Sequence, residues 1–224
     1  MKINEVKELL QGKPTEEQLQ ELENDSRAGV QKLLLSYKKR LEKEAEERIR
    51  FDKMLSFEKR FYKEGAKYIA GVDEAGRGPL AGPLVIAAVI LPQDVFISGL
   101  NDSKQISHKK REQLFDAVLE KAIAIEVNIV SVSNIDDLNI YSATQQGMKE
   151  VIEALNIKPD IALIDAMPVQ SEIIRTASIV HGDALSASIA AASIIAKVTR
   201  DRIMKRIDED QVKIIELVGN KSTI

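Results

Sequence analysis

Hydrophobic positions at helical spacing open the chain. Ile3, Val6, Leu9 and Leu10 recur on one helical face, and Gly12-Lys13-Pro14 ends that run. Thr15, followed by Glu16 and Glu17, restarts a second helix with Leu19 and Leu22 on its buried side. A third helical run is predicted over residues 28–61. Val30, Leu33, Leu34, Tyr37 and Leu41 pack early in it, and Met54, Leu55 and Phe57 late. Its middle, residues 38–50, is almost wholly charged and reads as an exposed helix. Gly65 marks the expected break.

From Tyr68 the period changes to alternating strands and helices. Tyr68-Ile69-Ala70-Gly71-Val72 reads as a strand closed by two acids, and residues 83–91 as a second, β-branched strand. Ser107 caps a predicted helix to about Lys121, with Leu114, Val118 and Ala122 facing inward. Residues 123–132 alternate as an edge or half-buried strand does. Ser133 and Ser142 are expected to open further helices, the second carrying Met148, Val151, Ile152 and Leu155. Residues 160–165 form a short buried-type strand ending in Asp165, and residues 176–180 form another. Asp183 is the expected N-cap of an alanine- and isoleucine-rich helix over residues 184–207. This order predicts an α/β domain with a mixed central sheet flanked by helices, preceded by a helical N-terminal extension. The expected domains are residues 1–66 (helical, partly basic), 67–207 (catalytic) and 208–224 (tail).

Composition narrows the chemistry. The chain has 224 residues, no cysteine and two histidines, His108 and His181. Thiolate metal sites and disulfides are therefore excluded, and a metal here must be held mainly by carboxylates, which favours hard ions such as Mg²⁺ or Mn²⁺. No apolar leader follows Met1, and the longest apolar stretches, around residues 83–91 and 189–196, are too short to span a bilayer. A cytoplasmic protein without a membrane partner is expected. The formal net charge is -3, but residues 37–67 carry 11 Lys/Arg against 7 Asp/Glu. A basic arm beside an acidic body suits a polyanion approaching a metal site; a solvated charged helix has the same composition.

Candidate chemistry concentrates in Ala70-Gly71-Val72-Asp73-Glu74-Ala75-Gly76-Arg77-Gly78-Pro79. Adjacent acids at a strand end, then a glycine-rich loop with one arginine, suit a divalent metal beside a phosphate; an ordinary polar turn reads the same way. No Gly-Lys-Ser/Thr follows, and the acids precede the glycines, so a nucleotide-binding loop is excluded. Asp165 and Asp183 also occupy places where α/β folds gather functional groups, a strand end and a helix start. If the four acids converge to about 4 Å, each pair repels by roughly 4 kcal/mol at an effective dielectric of 20. Such a nest calls for cations, and two ions would suit in-line phosphoryl displacement.

The run Asp73-Glu74-Ala75-Gly76-Arg77-Gly78-Pro79-Leu80-Ala81-Gly82-Pro83 closely resembles the signature of the type 2 ribonucleases H, specifically the bacterial ribonuclease HII family. Further matching segments are Asp102-Ser103-Lys104, Leu163-Ile164-Asp165-Ala166, and Gly182-Asp183 leading to Ala196-Lys197-Val198-Thr199-Arg200-Asp201. The resemblance spans residues 68–206. It implies a ribonuclease H-like fold and a metal-dependent endonuclease acting on the RNA strand of RNA–DNA hybrids. It also implies cleavage at single ribonucleotides embedded in duplex DNA, leaving 3′-hydroxyl and 5′-phosphate ends by two-metal hydrolysis. By the same resemblance Asp73, Glu74, Asp165 and Asp183 are the catalytic, metal-binding carboxylates, with Mn²⁺ or Mg²⁺ as cofactor. Gly76, Arg77 and Gly78 sense the ribose 2′-OH, the group that distinguishes RNA from DNA. Lys104, Lys197 and Arg200 are implied phosphate contacts. The substrate is the expected partner, and the protein is expected to act as a monomer.

The resemblance stops at the C-terminus. Family members continue into a segment supplying a tyrosine that stacks on the sugar beside the ribonucleotide. Here no aromatic residue follows Tyr141. The alternative expectation is therefore a hybrid- or duplex-binding module that is impaired or catalytically silent.

Overall fold

The computed structural model describes residues 1–79, 81–103 and 106–219, with backbone alone over 210–219. The chain forms two compact units, Met1–Arg50 and Phe51–Ile224.

The first unit contains α1 (Ile3–Gln11), α2 (Glu16–Glu23) and the greater part of α3 (Ala28–Met54). Thr15 caps α2 as expected. Its hydroxyl accepts from Gln18 N, while the Gln18 side chain accepts from Thr15 N, so two donors of the first turn are satisfied reciprocally. Val6, Leu10, Leu22, Val30, Leu34 and Tyr37 form its core. Arg40 donates to Leu10 O across 2.6 Å, tying α3 to the end of α1.

The single helix expected over residues 28–61 is two. α3 stops at Met54, Leu55 takes φ -86°, ψ 9°, and α4 runs Ser56–Lys63. Phe51, Met54 and Leu55 pack into one core of the second unit, and the break lets Phe57 and Phe61 beyond it turn into another.

The sheet of the second unit has the order β3-β2-β1-β4-β5 among the described residues. Its strands are β1 (Ile69–Ala75), β2 (Leu84–Ile90), β3 (Ala124–Val130), β4 (Ile161–Asp165) and β5 (Arg175–Ile179). β1 pairs antiparallel with β2 and parallel with β4, so the mixed sheet changes direction at the strand that carries the acid pair. β3 is an edge strand, as its alternation implied. Along β2 the side chains divide by parity. Val85, Ala87 and Val89 pack with α5 (His108–Lys121) and α9 (Ala187–Gly219), whereas Leu84, Ile86, Ala88 and Ile90 pack with α7 (Ile140–Ala154).

Three helix starts differ in detail from expectation. Ser107 caps α5, accepting from Lys110 N. Ser131, not Ser133, caps α6 (Val132–Leu138), and Asn139 rather than Ser142 caps α7. Asp183 does not cap the long helix. It lies inside a one-turn helix, α8 (Gly182–Leu185), and α9 begins after Ser186. Among the described residues no helix is long and apolar enough to cross a membrane.

The closest approach in the sheet is between β1 and α9. A Cβ added to Gly71 would stand 2.0 Å from Ser188 C and 2.2 Å from Ile189 N, so the two backbones meet directly. Gly71→Ala must separate strand and helix, and we expect it to lower unfolding free energy by about 3 kcal/mol, the upper end for overpacking. A urea titration checks this; an unchanged midpoint would show that α9 shifts freely on the sheet.

Candidate active site

Parallel pairing builds the centre of the site. β1 and β4 are matched through Val72↔Ile164, so the next residues along each strand, Asp73 and Asp165, lie side by side. β1 extends through both acids to Ala75, so Asp73 and Glu74 belong to the strand itself and not to the loop after it. Beyond β5 the chain turns at His181, whose φ of 58° is left-handed, and enters α8. Gly182 N donates to Asp165 Oδ1 across 2.6 Å, which docks α8 on the end of β4. Asp183 is thereby brought to the other two. Carboxylate oxygens of Asp73, Asp165 and Asp183 lie within 4.8 Å of one another.

Asp73 and Asp183 are buried and Asp165 is half-buried. Burial pushes the Asp73 carboxyl well above the usual carboxylate range, and the neighbouring charges of Glu74 and Asp165 push it further. Hydrogen bonds from Ser193 and from Glu74 N (2.7 Å) act in the opposite direction. The Ser193 and Ser103 hydroxyls are themselves hydrogen-bonded at 2.8 Å. Sequence reasoning gave neither serine a role. Ser103 lies in the Asp102-Ser103-Lys104 segment, and Ser193 stands among the small residues of α9, which was the available signal.

The other candidate residues surround this cluster. Glu74 stands outside the three-carboxylate group, 3.8 Å from Arg77, and lines the same open cavity of about 290 Å³ as Asp73, Gly76, Arg77, Gly78, Lys197 and Arg200. Gly76 has φ +111°, and a Cβ there would stand 2.6 Å from Pro83 O. A Cβ at Gly78 would meet nothing within 4 Å, so this glycine leaves the cavity open. Arg200 is buried and donates to Pro83 O (3.0 Å) and Ala81 O (2.7 Å), bracing the loop between β1 and β2. Lys197 pairs with Asp201, which Arg111 also contacts at 3.3 Å. Lys104 lies outside the described residues.

Three hard oxygen donors, two of them on the buried Asp73 and Asp183, converge in a way that fits a divalent cation of the Mg²⁺ or Mn²⁺ type. Positive charge there offsets the repulsion that burial leaves uncompensated.

Comparison with known proteins decides the family. Residues 70–222 match the profile of Ribonuclease HII, and residues 2–62 match that of the Ribonuclease HII N-terminal domain. The chain belongs to the ribonuclease HII family. It is 50% identical over 203 residues to the ribonuclease HII of Ligilactobacillus salivarius, covering 91% of this chain and 79% of that protein. It is 52% identical over 207 residues to that of Bacillus cytotoxicus, covering 92% and 80%. Among solved structures, ribonuclease H2 from Pyrococcus horikoshii superposes with a TM-score of 0.57 at 30% identity, covering 63% of this chain and 76% of that one. Ribonuclease HII of Archaeoglobus fulgidus, in its complex with PCNA, gives 0.54 at 27%, covering 70% and 91%. The chain is thus a metal-dependent endoribonuclease with ribonuclease H activity and a ribonuclease H-like fold. The family match runs past Arg206, where the motif resemblance ended, and it includes the N-terminal helices, for which the sequence motifs carried no family sign.

The raised pKa of Asp73 has a testable sign. Between the ordinary carboxylate value and its raised value, the folded state holds a proton that the unfolded state has lost, so metal-free stability falls as pH rises. In EDTA, Asp73→Asn should melt above wild type at pH 8, by about 2–4 °C per kcal/mol relieved, and the gap should shrink toward pH 5. Thermal melts followed by circular dichroism check this; a pH-independent gap would show that Asp73 holds no excess proton.

Proposed function

We propose that this ribonuclease hydrolyses the RNA strand of RNA–DNA hybrids and cuts at single ribonucleotides within duplex DNA, leaving 3′-hydroxyl and 5′-phosphate ends. One observation carries the reading: Asp73, a member of the carboxylate cluster, lines the same cavity as Glu74 and the Gly76-Arg77-Gly78 loop. A phosphate at the carboxylates then leaves its ribose within reach of a loop whose backbone is bare at Gly78. Exposed N–H and C=O groups there can donate to and accept from a 2′-OH, which needs no base readout.

Asp73, Asp165 and Asp183, with Glu74 beside them, would hold Mn²⁺ or Mg²⁺, which when bound supplies charge neutralisation at the phosphate and acidifies water. The protein's own groups do the rest. Glu74 N holds the Asp73 carboxylate in place, and Gly182 N holds that of Asp165. Arg77 offers a cation at the cavity mouth, half-restrained by Glu74. Arg200 fixes the loop's exit through two carbonyls, so its contribution to substrate binding runs through loop shape. Lys197 and Lys104 remain proposed phosphate contacts. All the carboxylates come from one chain, which supports action as a monomer, and the absence of cysteine suits a cytoplasmic enzyme.

The deciding assay uses a DNA duplex bearing one ribonucleotide, with Mn²⁺ or Mg²⁺. Cleavage 5′ to the ribonucleotide by wild type and its loss in Asp183→Asn are expected. Hybrid binding without turnover would instead favour a silent module. Arg77→Ala should raise KM about tenfold, as loss of one charge-assisted contact does, with a smaller change in kcat. An unchanged KM in steady-state kinetics would remove Arg77 from the binding surface.

A further inference from the structure

The acid that the proposed chemistry leaves unused is Glu58. It sits on α4, is 1% exposed, and reaches across 128 residues of sequence to Ser186. Its Oε1 accepts from Ser186 Oγ at 2.6 Å and from Ser188 N at 2.9 Å. Its Oε2 is buried without a hydrogen-bond partner. A buried carboxylate so incompletely satisfied is a poor device for stability, because an apolar side chain of similar size would avoid the desolvation. What it does hold is a joint.

Ser186 ends α8 and precedes α9. Its N–H donates to Gly182 O (2.8 Å), and its hydroxyl accepts from Ile189 N (3.2 Å). Asp183 rides on α8, which is a single turn and cannot hold its own geometry in isolation. One end of that turn is fixed by the Gly182–Asp165 bond. The other end is closed by Ser186, whose N–H donates to Gly182 O. Ser188, the second residue that Glu58 grips, is also the residue whose backbone meets Gly71. One carboxylate therefore locks both the joint and the seating of α9 on β1.

We infer that Glu58 is a positioning residue for Asp183, holding the α8–α9 joint so that Asp183 stays within reach of Asp73 and Asp165. The inference rests on Asp183 acting as a metal-holding carboxylate. Glu58 touches neither substrate nor metal in this role, so its loss should act on kcat and metal affinity and spare hybrid affinity.

The test compares wild type, Glu58→Ala, Glu58→Gln and Asp183→Asn, with kcat and KM measured separately on an RNA–DNA hybrid and Mn²⁺ affinity measured by calorimetry on the full chain without substrate. Glu58→Ala is expected to weaken Mn²⁺ binding and lower kcat by about 10- to 100-fold, as losses of ligand-orienting partners do, with KM within about twofold. Glu58→Gln, whose amide oxygen can accept the same two bonds, should recover most of both. A folded Glu58→Ala with wild-type kcat and Mn²⁺ affinity overturns the inference, as does a defect confined to KM. Equal defects in Glu58→Gln and Glu58→Ala would overturn it too. If Glu58→Ala does not fold, Ser186→Ala decides, since it deletes the hydroxyl's bond to Glu58, along with the one it accepts from Ile189 N, and leaves the acid: lowered kcat with unchanged KM supports the inference, and unchanged kcat overturns it. Full activity in Asp183→Asn would instead overturn the parent reading, and this one with it.

Discussion

Three carboxylate oxygens held within 4.8 Å of one another repel, by about 3 kcal/mol for each charged pair at an effective dielectric of 20, and the second unit is organised around keeping them there. Left to relax, the groups would turn outward into water. They do not, because each is fixed by backbone that belongs to a different element. Asp73 is held in strand register, Asp165 sits one step past the last β1–β4 pair, and Asp183 lies on a turn docked by Gly182. The same repulsion that burdens the cluster would favour a cation among its oxygens.

That arrangement depends on how closely α9 lies against β1. Gly71 removes the only side chain that would separate them, and the alanines that follow on α9, Ala190, Ala191 and Ala192, are fully buried. Small residues on this face let Ser193 line the cavity beside Asp73, where its hydroxyl is hydrogen-bonded to Ser103 Oγ at 2.8 Å. A helix packed at ordinary side-chain distance would draw that hydroxyl away from the carboxylates. The glycine-rich loop is likewise held from α9, through the two bonds of Arg200 to Ala81 and Pro83.

The parts legible in the sequence were those in which local pattern and local chemistry coincide. β2 is an uninterrupted apolar run between prolines, and Asp73, Asp165 and Asp183 are acids at strand or helix ends, so their convergence could be anticipated from an α/β topology. Other features were set by tertiary contacts with no local sign. Glu58 stands among Phe57, Lys59 and Arg60, where an acid reads as one more charge on a solvated helix, yet its carboxylate is buried against a segment far along the chain. The break at Leu55 follows from which core its neighbours enter, not from a glycine or proline. Asp183 has the residue type of a cap, but the cap geometry belongs to the flanking residues, because a one-turn helix intervenes before α9. Arg200 was expected at a phosphate; its burial follows from the loop carbonyls that it satisfies.

The contact at Gly71 also divides the ways in which this enzyme can be lost. Every missense allele there adds at least a Cβ at 2.0 Å from backbone, so no conservative exchange exists and the defect is one of folding. Asparagine at Asp73, by contrast, keeps shape and removes a charge that the fold tolerates poorly. A substitution of the first kind lowers the share of folded protein; one of the second leaves the fold standing and changes only the charge of the cluster.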